Sequence, residues 1–382
     1  MNRTKLLFIL AGISLFVLTV GLSYFLFSSI HSRSKLISPA GSPSPTAKKS
    51  RIDPALPRTE ICPLNGAKFT VQEKDIWSTR RPLAVIIENH VDSRPLSGLG
   101  SADIIYEAVA EGGITRNMGI FYCAAAADNV TLAPVRSARI YFTKLVPEYD
   151  ALYNHVGGAG NCDDPTVDER AKALCFIRKN KIKDLDQFGL DFKTCHRVTN
   201  RLDKEVAYEH TMACYTDELY KVAAKRKWDG WDFKFVPWKF KEDAGSKGSI
   251  TPIKFGFWSN KPDYDVTWDY DSQTNSYLRT DGGVKTIDLN TSAPLAAKNV
   301  IIQFVKETGP VDEHLHLLYE ITGTGKMLLF QDGQVTSGTW TKSAPATRTK
   351  FFDARGAEVQ LNRGPIWIEL IPSGNEIEYS RP

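Results

Sequence analysis

The sequence predicts an α/β domain followed by a mostly β domain, behind one N-terminal transmembrane helix. Three observations predict this. Residues 80–228 interleave short apolar runs with stretches of helical spacing, the pattern of an α/β layer. From about Ser249 helical spacing stops, and short strand-like runs follow, punctuated by turn signals such as Asp281-Gly282-Gly283 and Asp332-Gly333. Leu6 to Ile30 is uncharged, and a membrane span needs about 20 such residues. A chain of 382 residues suits about two domains. The boundaries expected are 1–30 for the anchor, 31–60 for a linker, 61–235 for the α/β domain and 245–382 for the β domain, with Glu242–Gly248 as the junction.

The linker is rich in Ser, Pro, Lys and Arg, which bury too little apolar surface to offset ordering. Leu83 to Ile87 reads as a buried strand, and Asp103 to Ala110, Asn117 to Cys123 and Ala151 to Val156 as three more. Ser137 to Val146 reads as a helix, with Ser137 as its cap and Ala138, Tyr141, Phe142 and Leu145 on one face. Asp164-Pro165 opens a second helix to about Arg178, and Asp217 to Lys227 forms a third. In the second half the expected strands are Thr251–Trp258, Tyr264–Tyr270, Val300–Val305, His314–Ile321, Lys326–Gln331, Gln334–Trp340 and Ile366–Ile371.

A net charge of +4 is too small for a nucleic-acid binder, whose basic face is concentrated. The apolar run exceeds the roughly 7–15 residues of a signal-peptide core, so an uncleaved anchor is expected. No cysteine lies near its end; the first is Cys62. The short N-terminal tail favours a body outside the cytoplasm. Cys62, Cys123, Cys162, Cys175, Cys195 and Cys214 are compatible with disulfides or with buried free thiols.

Apolar strands that end in polar loops are where α/β folds build sites. Glu107 and Glu111, four residues apart, would share a face of a strand or a helix and could act as an acid/base pair. His155, before Gly157-Gly158, is a third candidate catalytic group, and the glycines would let a ligand approach the backbone. Arg136 and Arg139 flank the Ser137 helix start, with Arg116 as a third, and a guanidinium fork suits phosphate or carboxylate. Each arginine could instead pair internally with Asp103, Glu107 or Glu111. Asn89, His90 and Arg94, after the first strand, are candidate ligand contacts. Cys195, His196, His210 and Cys214 have zinc-ligand chemistry but not the spacing of a finger, and no metal or other cofactor is expected. Trp340 and Trp367 could stack on sugars if exposed. The P-loop, Gly-x-Ser-x-Gly, His-Glu-x-x-His and dinucleotide motifs are all missing from the sequence.

The blocks Glu88-Asn89-His90, Ala102 to Arg116, Pro134 to Arg139, Tyr149 to Gly158, Cys195 to Arg201, Tyr208 to Thr211, Gly338 to Lys342 and Gly364 to Trp367 occur in an order that resembles the YerB-like family of bacterial membrane lipoproteins. That is a two-domain family of unknown function. The resemblance spans roughly residues 80–375, implies an extracytoplasmic body at the cell membrane, and marks Arg201 and His210 as further ligand contacts. The expected partner is a cell-wall glycan or another anionic envelope polymer, bound in a cleft of the α/β domain. The alternative is a wall glycan hydrolase or phosphoglycan transferase working with Glu107, Glu111 and His155.

Overall fold

The computed structural model describes residues 52–53, 55–231 and 235–380. The expected anchor and most of the linker lie outside these residues. Among the described residues, no helix is long and apolar enough to cross a membrane.

Ten strands form a central mixed sheet. Five come from the first half of the chain: β1 (Leu83–Glu88), β2 (Ile104–Val109), β3 (Thr115–Phe121), β4 (Leu152–His155) and β5 (Lys183–Asp186). Five come from the second half: β6 (Asn299–Val305), β7 (Gly323–Gln331), β8 (Gln334–Lys342), β9 (Lys350–Asp353) and β10 (Ile366–Pro372). Their order across the sheet is β9-β8-β7-β6-β10-β2-β3-β1-β4-β5. The halves meet where β10 runs parallel to β2, with Ile366 beside Ile104 and Glu369 beside Glu107. The two stretches separated in the sequence at 235–245 therefore share one sheet.

Every residue of β1, β2 and β3 is buried, because both faces of the sheet are covered. One face meets a second, antiparallel sheet built around Val266–Asp271 and Ser276–Asp281. Trp268 of that sheet packs edge-on against Trp367 of β10, with ring centroids 5.1 Å apart. The Asp332-Gly333 turn joins β7 to β8 as a two-residue hairpin, and both turn residues have the positive φ that such a turn requires.

Two helices differ from expectation. The one expected from Ser137 starts at Ile140 and ends at Leu145, with Arg139 at the N-cap and no side-chain cap. Ala138 is held extended instead, its N–H donating to the Gly157 carbonyl, so Ser137 cannot cap. The helix expected from Asp164 shrinks to Ala173–Lys179. Asp164 and Asp168 accept the N–H groups of Thr166 and Arg170 in local turns, which compete with a helix. The third is found at Thr216–Lys225. Of His314–Ile321 only Leu318–Tyr319 is strand, because Asp312 accepts the N–H groups of His314 and His316 in a turn.

All six cysteines pair: Cys62–Cys123, Cys162–Cys175 and Cys195–Cys214. The zinc reading of Cys195 and Cys214 is thereby corrected, since their thiols are consumed. A second tie between the halves is ionic. Glu148 is fully enclosed and accepts from Lys342, from Arg348 at 2.8 Å, and from the N–H and hydroxyl of Thr349 at 3.0 and 2.9 Å.

Candidate functional site

The residues singled out in the first half separate into clusters on the two sides of the central sheet. Glu107 faces the second sheet at zero exposure. It accepts from Arg279 at 2.7 Å, Thr115 at 2.7 Å and Asn89 at 3.2 Å. Asn89 also donates to Asp281, and Arg94 pairs with Asp281 at 3.1 Å. Glu369 lies beside Glu107 and accepts from the Trp268 indole. Arg279 stacks over Trp367 and pairs with both Glu107 and Asp281. Burial raises the Glu107 carboxyl; it raises Glu369 well above the usual range, helped by the Glu107 charge. This is a sealed polar network holding two sheets together, and it leaves Glu107 no open face for a substrate. Asn89 and Arg94 belong to the same lock.

Glu111 is not beside Glu107. It sits in the turn after β2 and pairs with Arg116 at 3.0 Å and bidentately with Arg139. Thr115 and Arg116 are consecutive in β3, so their side chains leave on opposite sides of the sheet, and the two glutamates go with them. The expected acid/base pair is thereby dismantled. Burial alone would raise the Glu111 carboxyl, but the Arg139 hydrogen bond and the Arg116 and Arg139 charges bring it to about 2. A group held ionised in this way is a poor general acid. Burial, then the neighbouring Arg139 charge, pushes Arg116 down to about 10. The Arg116 guanidinium also donates to the Ser137 carbonyl.

The Glu111 shift has a consequence for stability. The folded value lies below the ordinary 4.5, so the contribution is complete above about 4.5 and is lost as pH falls towards 2. Denaturation curves taken from pH 5 to pH 2 are expected to show Glu111→Gln less stable at pH 5, with the difference closing as acid is added. A difference that stays constant through this range would refute the assignment.

Arg139 also lines a cleft of about 380 Å³. Ser137, Gly158, Gly160 and Asp164 line it too, and His314 and His316 close it from the second half of the chain. The Gly157-Gly158 turn that the sequence marks does border an opening, and a Cβ at Gly158 would sit 3.0 Å from both Ala138 and Leu174. His155 does not reach it. It is fully buried, with Nδ1 on the Gly157 carbonyl at 2.7 Å and Nε2 on Asp184 at 2.9 Å, so neither ring nitrogen is available for catalysis.

A third cluster surrounds Glu88, the last residue of β1. Arg136 pairs with it at 3.1 Å and His210 Nδ1 at 2.7 Å. The His90 ring stacks on His210 at 4.6 Å, and Arg201 ties the same region down by donating to the Ser93 and Pro95 carbonyls. Arg136, His90, His210 and Arg201 are thus neighbours although they come from three parts of the sequence. Burial pushes Arg201 to about 10. Trp340 and Trp367 are core residues, 2% and 1% exposed, so neither presents a face to a sugar. Arg279, Asp281, Glu369, His314 and His316 were not expected. The alternation around Arg279 in Ser276–Asp281 points it inward, but a lone arginine in a strand does not announce a buried carboxylate partner.

Two halves interlock through one sheet, and the first of them carries all three disulfides and most of the arginine-edged cleft. The chain belongs to the DUF3048 family, described as a protein of unknown function. The family's N-terminal domain matches residues 69–229 and its C-terminal domain residues 253–368. It is 30% identical over 322 residues to the candidate lipoprotein YerB of Bacillus subtilis (strain 168), covering 84% of this chain and 88% of that protein. The crystal structure of YerB from Bacillus subtilis is similar with a TM-score of 0.69 at 26% identity, covering 84% of this chain and all of that one. The YerB-like resemblance carried by the motif blocks is confirmed.

Proposed function

We propose that the protein is held at the cell membrane by its N-terminal apolar segment, with its body in the envelope, and binds an anionic glycan or phosphate-bearing polymer at the Arg139 cleft. The observation that carries this reading is that Arg116 and Arg139 share the carboxylate of Glu111 beside an open cavity, whose lining adds one acid, Asp164, and two histidines, His314 and His316. Crowded guanidinium groups gain by meeting a further anion. The larger cleft, about 770 Å³ near Trp258, is lined by Asp265, Glu307 and Glu376 and would repel the same ligand. Three disulfides suit an oxidising compartment, and the similarity to a candidate lipoprotein agrees with an envelope location. The acid/base alternative loses support because Glu107 and His155 are enclosed.

The test is binding of purified anionic wall polymer by titration calorimetry at low and moderate salt. Arg139→Ala is expected to weaken binding about 10-fold or more, as removal of a charge-assisted contact does, and to flatten the salt dependence. If Arg139→Ala lowers the melting temperature and leaves affinity unchanged, the arginine is structural and the proposal fails.

A further inference from the structure

We propose that His90, Asp92 and His210 form a divalent-cation site of the zinc class, separate from the anion cleft and independent of it. One ligand atom from each of the three residues lies within 4.8 Å of the others. His90 Nδ1 and Asp92 Oδ2 are 3.6 Å apart, close to the roughly 3.4 Å that separates two ligands around a tetrahedral zinc. The backbone brings them together: His90 is the N-cap of a short turn at Val91–Ser93, which folds Asp92 back beneath the ring. His90 Nδ1 accepts the Asp92 N–H at 3.2 Å, so this nitrogen is unprotonated, and a cation bound to it would replace that long contact.

His210 completes the set from a distant part of the chain. Its Nδ1 is committed to Glu88 at 2.7 Å, leaving Nε2 for a metal. A carboxylate on the far nitrogen of a histidine ligand fixes the tautomer and the ring orientation, the usual outer support of a metal site. Glu88 is itself held by Arg136, so the support is rigid. His210 is 6% exposed, His90 partly exposed and Asp92 well exposed, so the cation would have a buried floor and an entrance. Three protein ligands leave a fourth position for water or an incoming oxygen donor. Among the described residues, the other cluster of metal-ligand type, Cys62, Asp103 and Cys123, is excluded because its two sulfurs are bonded to each other.

The experiment uses the full-length chain, stripped with chelator and titrated with Zn²⁺, then with Co²⁺ as a spectroscopic probe. One equivalent is expected to bind, with Co²⁺ giving the absorption of a nitrogen and oxygen ligand set and no thiolate band. His90→Gln and Asp92→Asn lie at the entrance and are expected to leave the fold intact while weakening binding at least 10-fold each. Glu88→Gln is expected to weaken it by about 10- to 100-fold through loss of the outer support. Absence of stoichiometric binding, or binding that His90→Gln and Asp92→Asn leave unchanged, would overturn the assignment.

Discussion

Arg279→Leu is expected to lower the unfolding free energy at pH 7 by about 3–5 kcal/mol, the usual result of removing one partner from a buried ionic set. Among the described residues, Arg279 is the only cation paired with Glu107, which is wholly enclosed, and it also serves Asp281. Its removal leaves Glu107, Glu369 and Asp281 crowded between two sheets. Arg94 still reaches Asp281 but not Glu107. The sign of the pH dependence follows from the carboxyls. Burial already raises both Glu107 and Glu369, and Arg279 opposes that rise. Without Arg279 both rise further, so the folded variant binds protons more tightly than the unfolded chain. Stability gained in this way is complete below about 4.5 and is lost as pH rises. The deficit of the variant should therefore be largest at neutral pH and narrow towards pH 4.5. Urea denaturation at both values measures it, and a deficit that does not vary with pH would contradict the network.

The second large effect is expected at Glu148. Glu148→Gln leaves Lys342 and Arg348 facing each other without a counter-charge, and Lys342 has no exposed side-chain surface. Burial already lowers Lys342, with only Glu148 opposing that shift. A loss of about 3–5 kcal/mol is expected. Lys342→Met added to Glu148→Gln should return part of it, since the stranded ammonium is then gone; the double-mutant cycle isolates the pair. A single variant as stable as the parent would show that the contact contributes nothing to joining the halves.

Much of the fold was legible because β1, β2, β3, β6 and β10 are apolar runs, and such runs announce themselves. The strand Ser276–Asp281 was missed because its inward residues include Arg279 and Asp281, which read as surface until a buried partner is known. The Asp164 helix failed because side-chain turns at Asp164 and Asp168 competed for the same N–H groups. At the site, residue types were readable but groupings were not. Glu107 and Glu111 are near in sequence yet divide between the faces of one sheet. Glu88 and His210 lie 122 positions apart and touch. His314 and His316 reach the cleft only because the second half folds back over the first.

The pairing of β2 with β10 sets the order in which the molecule can assemble. Synthesis delivers β2 about 260 residues before the strand that covers its outer side. Until then that side offers a row of bare amide and carbonyl groups on an otherwise oily ribbon, an invitation to stray chains. Closing so long a loop is slow. Productive folding therefore waits for the C-terminal strands, and an emerging chain cut short before Ile366 is expected to need a chaperone or to clump.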